Sequence, residues 1–352
     1  MSNKRILHFI DALGKGGAEM LLAGVVRSMP EYEHVIVTLY PLNEFNDEIP
    51  DSVEIICLHA YSQLQKVRSV FKLRRILREK QIDVIHSHLY WPTMIARLSK
   101  TSKQKLISSY HNVLYGRHGS SYGTRYKLID KFTYRSSHLT LSVSEQVKAD
   151  LAAHIGIVKN SEVLYNYVDN KYYKDPKAAF EPGETLRILS VGNLKPQKNY
   201  VPVIQAMAEE TPVGFTWDIY GEGPERTTIE TLINEHQLHQ INLKGSVKNV
   251  NQIIRQYDLL LFPSKWEGFG IALVEAMAAG LPCLVADLPV LREVAEDTVM
   301  YFDPEKPHEA LSAIEKILDN TINIDDLVKK SRERALAFNS DNYMQRLKEW
   351  YA

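Results

Sequence analysis

The chain has 352 residues, 45% hydrophobic and 24% charged, with a formal net charge of −1. That length is ample for two buried cores, and the composition is that of an ordinary globular protein rather than a disordered or fibrous one. Cys57 and Cys283 lie far apart in apolar runs with neither zinc nor disulfide spacing, and no apolar stretch approaches the roughly 20 residues that span a bilayer. Both cysteines read as buried thiols of a reducing compartment. Met1 leads into the first apolar run without a signal-peptide layout, so a cytoplasmic chain is expected.

The first predicted strand is Arg5-Ile6-Leu7-His8-Phe9-Ile10, followed by a glycine-rich loop and a helix over 18–28. Strands over 34–39 and 53–58 follow, then a basic helix over 65–80 and a strand ending Val84-Ile85-His86-Ser87-His88. Strands over 106–110 and 139–143 continue the series. Alternation of strands and helices predicts a parallel, doubly wound sheet. A first domain is assigned to 1–170, and the polar stretch 171–185, with Asp175-Pro176 and Glu181-Pro182-Gly183, to a linker. The alternation restarts over 186–191 and continues through 217–220, 241–243, 259–262 and 283–285, giving a second domain over 186–335. In the last segment, 336–352, Tyr343, Leu347, Trp350 and Tyr351 fall on one helical face.

Charge is unevenly spread. Residues 60–135 hold 16 Lys and Arg against three acids, a local +13 that leaves −14 for the remainder. The excess points to an anionic partner, and a membrane surface is the one expected; no nucleic acid is.

The densest signal is Pro263-Ser264-Lys265-Trp266-Glu267-Gly268-Phe269-Gly270, a turn between an apolar strand and the helix 271–279, which Gly280-Leu281-Pro282 ends. Such a turn aims free N–H groups and the positive end of a helix dipole at a ligand, which favours phosphate. Glu275 sits about one and a half turns into the helix, so the helical rise puts Glu267 and Glu275 on the order of 10 Å apart. That spacing suits one carboxylate on a sugar and one on a ribose. Earlier, Gly14-Lys15-Gly16-Gly17-Ala18-Glu19 fails as a dinucleotide loop, because Glu19 stands where the third glycine belongs. His86 and His88 share a strand face, but no third metal ligand appears at diagnostic spacing.

The paired glutamates, both glycines, the Glu-Ala-Met-Ala helix and the closing Gly-x-Pro closely resemble the signature of retaining glycosyltransferases of family 4. That resemblance implies the GT-B fold: two Rossmann-like, doubly wound parallel-sheet domains facing a central cleft, with the last helix packing back on the first domain. It further implies that Glu267 and the backbone of Gly268, Phe269 and Gly270 hold the donor sugar, and that Glu275 takes the ribose hydroxyls. Gly16 and Gly17 resemble the family's Gly-Gly-Ala-Glu loop beside the donor phosphates. Val191-Gly192-Asn193-Leu194-Lys195-Pro196-Gln197-Lys198 resembles the stretch whose arginine and lysine neutralise the leaving diphosphate, and such clamps belong where charge develops. Lys198 matches the lysine, whereas Asn193 replaces the arginine; Lys195 is the nearby residue that could supply the missing charge. Lys244-Gly245-Ser246-Val247 resembles the stretch whose backbone reads the base, with Gly245 in it. His111, at the end of a strand, resembles the histidine that contacts the donor sugar. His88 and Asn166 are assigned to the acceptor side.

The resemblance implies transfer of a sugar from a nucleotide diphosphate donor, UDP by family frequency, to a hydroxyl of a glycan or lipid-linked acceptor of bacterial surface polysaccharide or glycolipid synthesis. It implies no metal, no cofactor and retained anomeric configuration, with His111, Lys198 and Glu267 nearest the chemistry. GT-B sugar epimerases and a non-catalytic nucleotide-sugar-binding scaffold are the competing readings. The basic region 60–135 extends the expectation to peripheral docking on the inner face of the cytoplasmic membrane.

Overall fold

Short apolar runs bounded by polar turns become parallel strands buried on both faces, which is why they read as nearly continuous hydrophobic segments. A computed structural model describes residues 4–14, 16–45, 47–116, 123–174, 185–210, 214–319 and 321–352. It divides into two units, Met1–Asn166 with Asp341–Ala352, and Tyr167–Ser340.

The first unit is built on seven strands: β1 (Arg5–Ile10), β2 (Glu33–Thr38), β3 (Glu54–Cys57), β4 (Val84–His88), β5 (Lys105–Tyr110), β6 (Leu139–Ser142) and β7 (Ser161–Val163). They order as β3-β2-β1-β4-β5-β6-β7, every pair parallel. Alternate residues of β1 feed two cores. Leu7 and Phe9 pack with Leu73 and Leu77 of helix Gln63–Glu79, and Ile10 packs with Leu22 and Val26 of helix Gly17–Ser28. His8 therefore lies on the Ile10 face.

Helix Ser340–Tyr351 belongs to this first unit from Asp341 onward and buries Tyr343, Met344, Leu347 and Tyr351. Its last aromatic is fixed at both ends: the Tyr351 hydroxyl lies 2.7 Å from His86 Nδ1, and Lys4 Nζ donates to its carbonyl at 3.1 Å. Trp350 is only half-buried, with the Arg346 guanidinium 4.9 Å from its ring.

The second unit has six strands, β8 (Leu186–Val191), β9 (Phe215–Tyr220), β10 (Ile241–Gly245), β11 (Leu259–Phe262), β12 (Cys283–Ala286) and β13 (Met300–Phe302), in the order β10-β9-β8-β11-β12-β13. All are again parallel. β7 and β13, three residues each, carry too little apolar pattern to be read from sequence.

Two segments fall elsewhere than the sequence boundaries placed them. Residues 167–170 and 336–340 count with the second unit, where Val168 bridges Asn339 and its N–H bonds the Phe338 carbonyl. Asn170–Tyr172 is a 3-10 helix capped by Asp169, so the start of the assigned linker is structured; residues 175–184 lie outside the described residues. Cys283 is buried, but Cys57 is only half-buried.

The basic region also divides. Lys66 is 8% exposed with its ammonium 4.8 Å from the Trp91 ring, and Arg97 is paired at 2.5 Å with a fully buried Asp130. The other cations of helix Gln63–Glu79, namely Arg68, Lys72, Arg74, Arg75 and Arg78, are exposed. So are Leu64, Val67 and Phe71 between them, at 60%, 60% and 66%. Among the described residues no helix is long and apolar enough to cross a membrane.

Candidate functional site

In the second unit, the loops after β8 and β11 are tied together before any side chain meets a ligand. Lys265 N–H donates to the Gln197 carbonyl at 2.8 Å, and Gln197 Nε2 donates to the Trp266 carbonyl at 2.9 Å. That lacing brings Lys198, at the end of the 3-10 turn Pro196–Lys198, against Glu267: Nζ to Oε1 is 2.6 Å. Ser264 Oγ donates to the same oxygen at 2.8 Å. The lysine stem crosses Gly192, where a Cβ would come within 2.9 Å of Lys198 Cε, and its ammonium rests 4.9 Å from the Phe262 ring. The pair sits at 17% and 9% side-chain exposure, so each charge depends on the other for solvation.

Gly270 turns the chain into helix Ile271–Ala279 with φ +92°, and a Cβ there would also meet Leu291 Cδ2 at 2.9 Å. Only glycine fits such a left-handed start cheaply. Gly268 is buried beside it. The Phe269 side chain packs edge-on to Phe338 at 5.3 Å, so only its backbone is available to a ligand. The helix is apolar nearly all round and carries one carboxylate, Glu275, at 6% exposure. Burial pushes its pKa up to about 7, and a hydrogen bond from Tyr172 and the charge of Lys171 hold it from rising further.

Gly245 ends β10, and its carbonyl accepts from Gly221 N–H at 2.9 Å. The Gly192 and Leu194 amides bond the Tyr220 and Glu222 carbonyls at 2.9 and 3.0 Å, which aligns this edge with the loop after β8. Asn193 and Lys195 are exposed there.

In the first unit, the corresponding residues gather at the C-terminal ends of β1, β4 and β5, the edge where open parallel sheets bind ligands. Gly16 caps helix Gly17–Ser28 in extended conformation with no side-chain cap, and Gly17 is exposed; Lys15 lies outside the described residues. His88 Nδ1 and His111 Nε2 are 3.2 Å apart with rings stacked at 5.5 Å. Burial lowers the His111 pKa to about 4, so its imidazole is neutral at working pH. Asn166 is 5% exposed, and its Oδ1 has no hydrogen-bond partner among the described residues. Asp11, just past β1, has one similarly unpartnered oxygen, and burial raises its pKa to about 6 against the pull of Lys66.

Four participants escaped the sequence reading. Ser264 stood three residues before Glu267 and could have been proposed as its donor. Tyr172 sits in a stretch read as linker, and nothing in its neighbours signals a partner on a helix 100 residues later. His8 and Asp11 become visible only once β1 pairs with β4, in register His8 opposite His86.

A family model for glycosyl transferases group 1 matches residues 173–334, and one for glycosyltransferase family 4 matches residues 15–172. The chain belongs to this glycosyltransferase family. It is 21% identical over 332 residues to the O-antigen biosynthesis glycosyltransferase WclY of Escherichia coli, covering 91% of this chain and 90% of that one. It is 27% identical over 237 residues to the N-acetyl-alpha-D-glucosaminyl L-malate synthase of Bacillus anthracis, 64% of this chain and 62% of that one. Among solved structures, sucrose-phosphate synthase from Thermosynechococcus elongatus superposes with a TM-score of 0.85 at 18% identity, covering 99% and 98% of the two chains. Anabaena Alr3699/HepE, in complex with UDP and glucose, superposes at 0.84 and 18% identity over 99% of each. The fold is GT-B.

Proposed function

We propose that this glycosyltransferase retains anomeric configuration and takes its sugar from a UDP-sugar, placing it on a hydroxyl of a surface glycan or its lipid-linked precursor. The observation that carries the donor reading is Glu275, a lone carboxylate buried in an apolar helix with Tyr172 as its hydroxyl donor. A buried carboxylate with acceptor capacity to spare is suited to a pair of ribose hydroxyls, each charge-assisted bond contributing roughly 1.5–3 kcal/mol. UDP in the Anabaena neighbour and the O-antigen role in the name of WclY support the donor and acceptor classes.

In the reaction, the sugar C1–phosphate oxygen bond breaks and a C1–acceptor oxygen bond forms on the same face, and the leaving phosphate takes the acceptor proton. Lys198 neutralises the charge that develops on the diphosphate, so no metal is required there. Glu267 holds the sugar hydroxyls, and the neutral His111 hydrogen-bonds the sugar near C1. Calorimetry with UDP tests the donor half: Glu275→Ala weakens UDP, whereas Glu267→Ala spares UDP and loses transfer. Equal UDP affinity in wild type and Glu275→Ala would overturn the assignment, and an inverted anomer in the product would overturn retention.

The place of action is the surface of an anionic membrane. Leu64, Val67 and Phe71 recur at helical spacing among exposed arginines, and helix Thr124–Thr133 also exposes Leu128 and Phe132, at 47% and 76%, among Arg125, Lys127 and Lys131. A basic, apolar-tipped face of this kind supports interfacial docking rather than plain solvation.

A further inference from the structure

Three imidazoles meet inside the first unit. Parallel pairing of β1 with β4 sets His8 beside His86, and His88 follows two residues later on the same face. Ring centroids are 5.8 Å apart for His8 and His86, 4.2 Å for His86 and His88, and 6.1 Å for His8 and His88. One nitrogen from each lies within 4.8 Å of the other two, and all three residues are at most 3% exposed.

His8 Nδ1 and His88 Nε2 have no hydrogen-bond partner among the described residues. Buried polar atoms are nearly always bonded, so two orphans in one cluster call for an occupant. Their protonation is fixed from behind. The Met29 carbonyl can only accept, so His34 Nε2 donates to it at 2.9 Å, and His34 Nδ1 then accepts from His8 Nε2 at 3.0 Å. That leaves a lone pair on His8 Nδ1. His88 is oriented likewise through Nδ1, 3.2 Å from His111. Outer-shell bonds of this kind are what hold metal-bound histidines.

We propose that His8, His86 and His88 bind one divalent transition cation, Zn²⁺ by ligand type, with solvent completing the shell. Imidazole alone, without hard oxygen donors, selects zinc over Mg²⁺ or Ca²⁺. Zinc–imidazole bonds of about 2.0–2.1 Å draw the rings inward by on the order of 1 Å. His86 must release one partner, Ser109 Oγ or the Tyr351 hydroxyl, each at 2.7 Å. The cation thus staples β1 to β4 beside the anchor of the C-terminal helix.

The test uses tag-free full-length protein, stripped with a chelator and titrated with Zn²⁺ against a chromophoric competitor. One equivalent binds, Mg²⁺ does not compete, and zinc-edge X-ray absorption shows three imidazole nitrogens. His34→Gln weakens binding by about 10–100-fold, as second-shell changes do. The His8→Gln/His88→Gln double variant, if its circular dichroism is native, loses the site. Absence of bound zinc would mean that water satisfies the orphans and would overturn the proposal. So would sulfur or fewer than three imidazoles in the first shell, or unchanged affinity in a folded double variant. The absorption measurement needs only wild type, so a variant that fails to fold does not block the decision.

Discussion

Lys198 and Glu267 hold each other at 2.6 Å, and Ser264 donates to the same carboxylate oxygen at 2.8 Å. The residue proposed to neutralise the diphosphate and the one proposed to grip the sugar are each other's counter-ions. Each is aimed by the other, so donor binding exchanges one set of charge-assisted bonds for another rather than burying a charge afresh.

That pairing makes stability and turnover separable. Lys198→Ala lowers kcat by about 10²–10³, the scale of losing an oxyanion-stabilising group. It also lowers the melting temperature, because a mostly buried carboxylate loses its partner. Adding Glu267→Gln recovers part of the melting temperature and none of the turnover. A double variant melting no higher than Lys198→Ala would show that the pair is not what stabilises the loops.

Asn193 stands where the family carries arginine, and Lys195, two residues on, is exposed at the same loop. If Lys195 supplies the missing charge, Lys195→Ala reduces kcat on the same scale as Lys198→Ala. Turnover within about twofold of wild type, under roughly 0.5 kcal/mol of barrier, would leave Lys198 as the sole cation.

Glu275 gives two opposite pH dependences. Its pKa rises from 4.5 to about 7 on folding, so between those values the folded chain holds a proton that the unfolded chain has released. Stability of the free protein therefore falls as pH climbs through this window, by about 3 kcal/mol for the whole shift. Glu275→Gln removes that slope, which chemical denaturation at pH 5 and pH 8 measures. UDP binding needs the ionised acceptor, so affinity falls as pH drops below about 7. A wild-type affinity flat from pH 5.5 to 8 would contradict the ribose role.

Tyr172 tunes the same group. Its hydroxyl donates to the Glu275 carboxylate and so favours the ionised form. Tyr172→Phe leaves a buried acceptor short of a donor, which costs about 1–3 kcal/mol. It also moves the pH midpoint for UDP binding upward. Calorimetry across pH distinguishes this from simple loosening, which would weaken UDP equally at every pH.

Much of this was legible in the residues. The apolar runs that became β1, β4, β8 and β11 are short, bounded and continuous, so period and length together identified them, and the turn 263–270 announced itself by its glycines. Pairings between distant segments were not legible. The Tyr172–Glu275 bond and the His8–His86 register are set by tertiary packing, and local sequence carries no record of either. Helix Gln63–Glu79 was legible in part. Its basic content was plain, but pattern alone could not separate Leu73 and Leu77, which feed the core, from Leu64, Val67 and Phe71, which do not.

That last division sharpens the membrane prediction. Arg68, Arg74, Arg75 and Arg78 attract an anionic leaflet at about 1 kcal/mol per residue near the surface, an attraction that salt screens. Phe71 and Val67, exposed at 66% and 60%, contribute by burial, which salt does not weaken. Sedimentation with anionic vesicles at low salt should therefore capture the protein, and high salt should release most but not all of it. Arg74→Ser/Arg75→Ser reduces the salt-sensitive fraction. Val67→Ser/Phe71→Ser removes the salt-resistant remainder and leaves the low-salt attraction in place. These side chains face solvent, so neither pair should lower the melting temperature by more than a few degrees. Failure to bind at low salt, or equal binding to neutral and anionic vesicles, would place the acceptor in solution and leave the exposed apolar row without a membrane role.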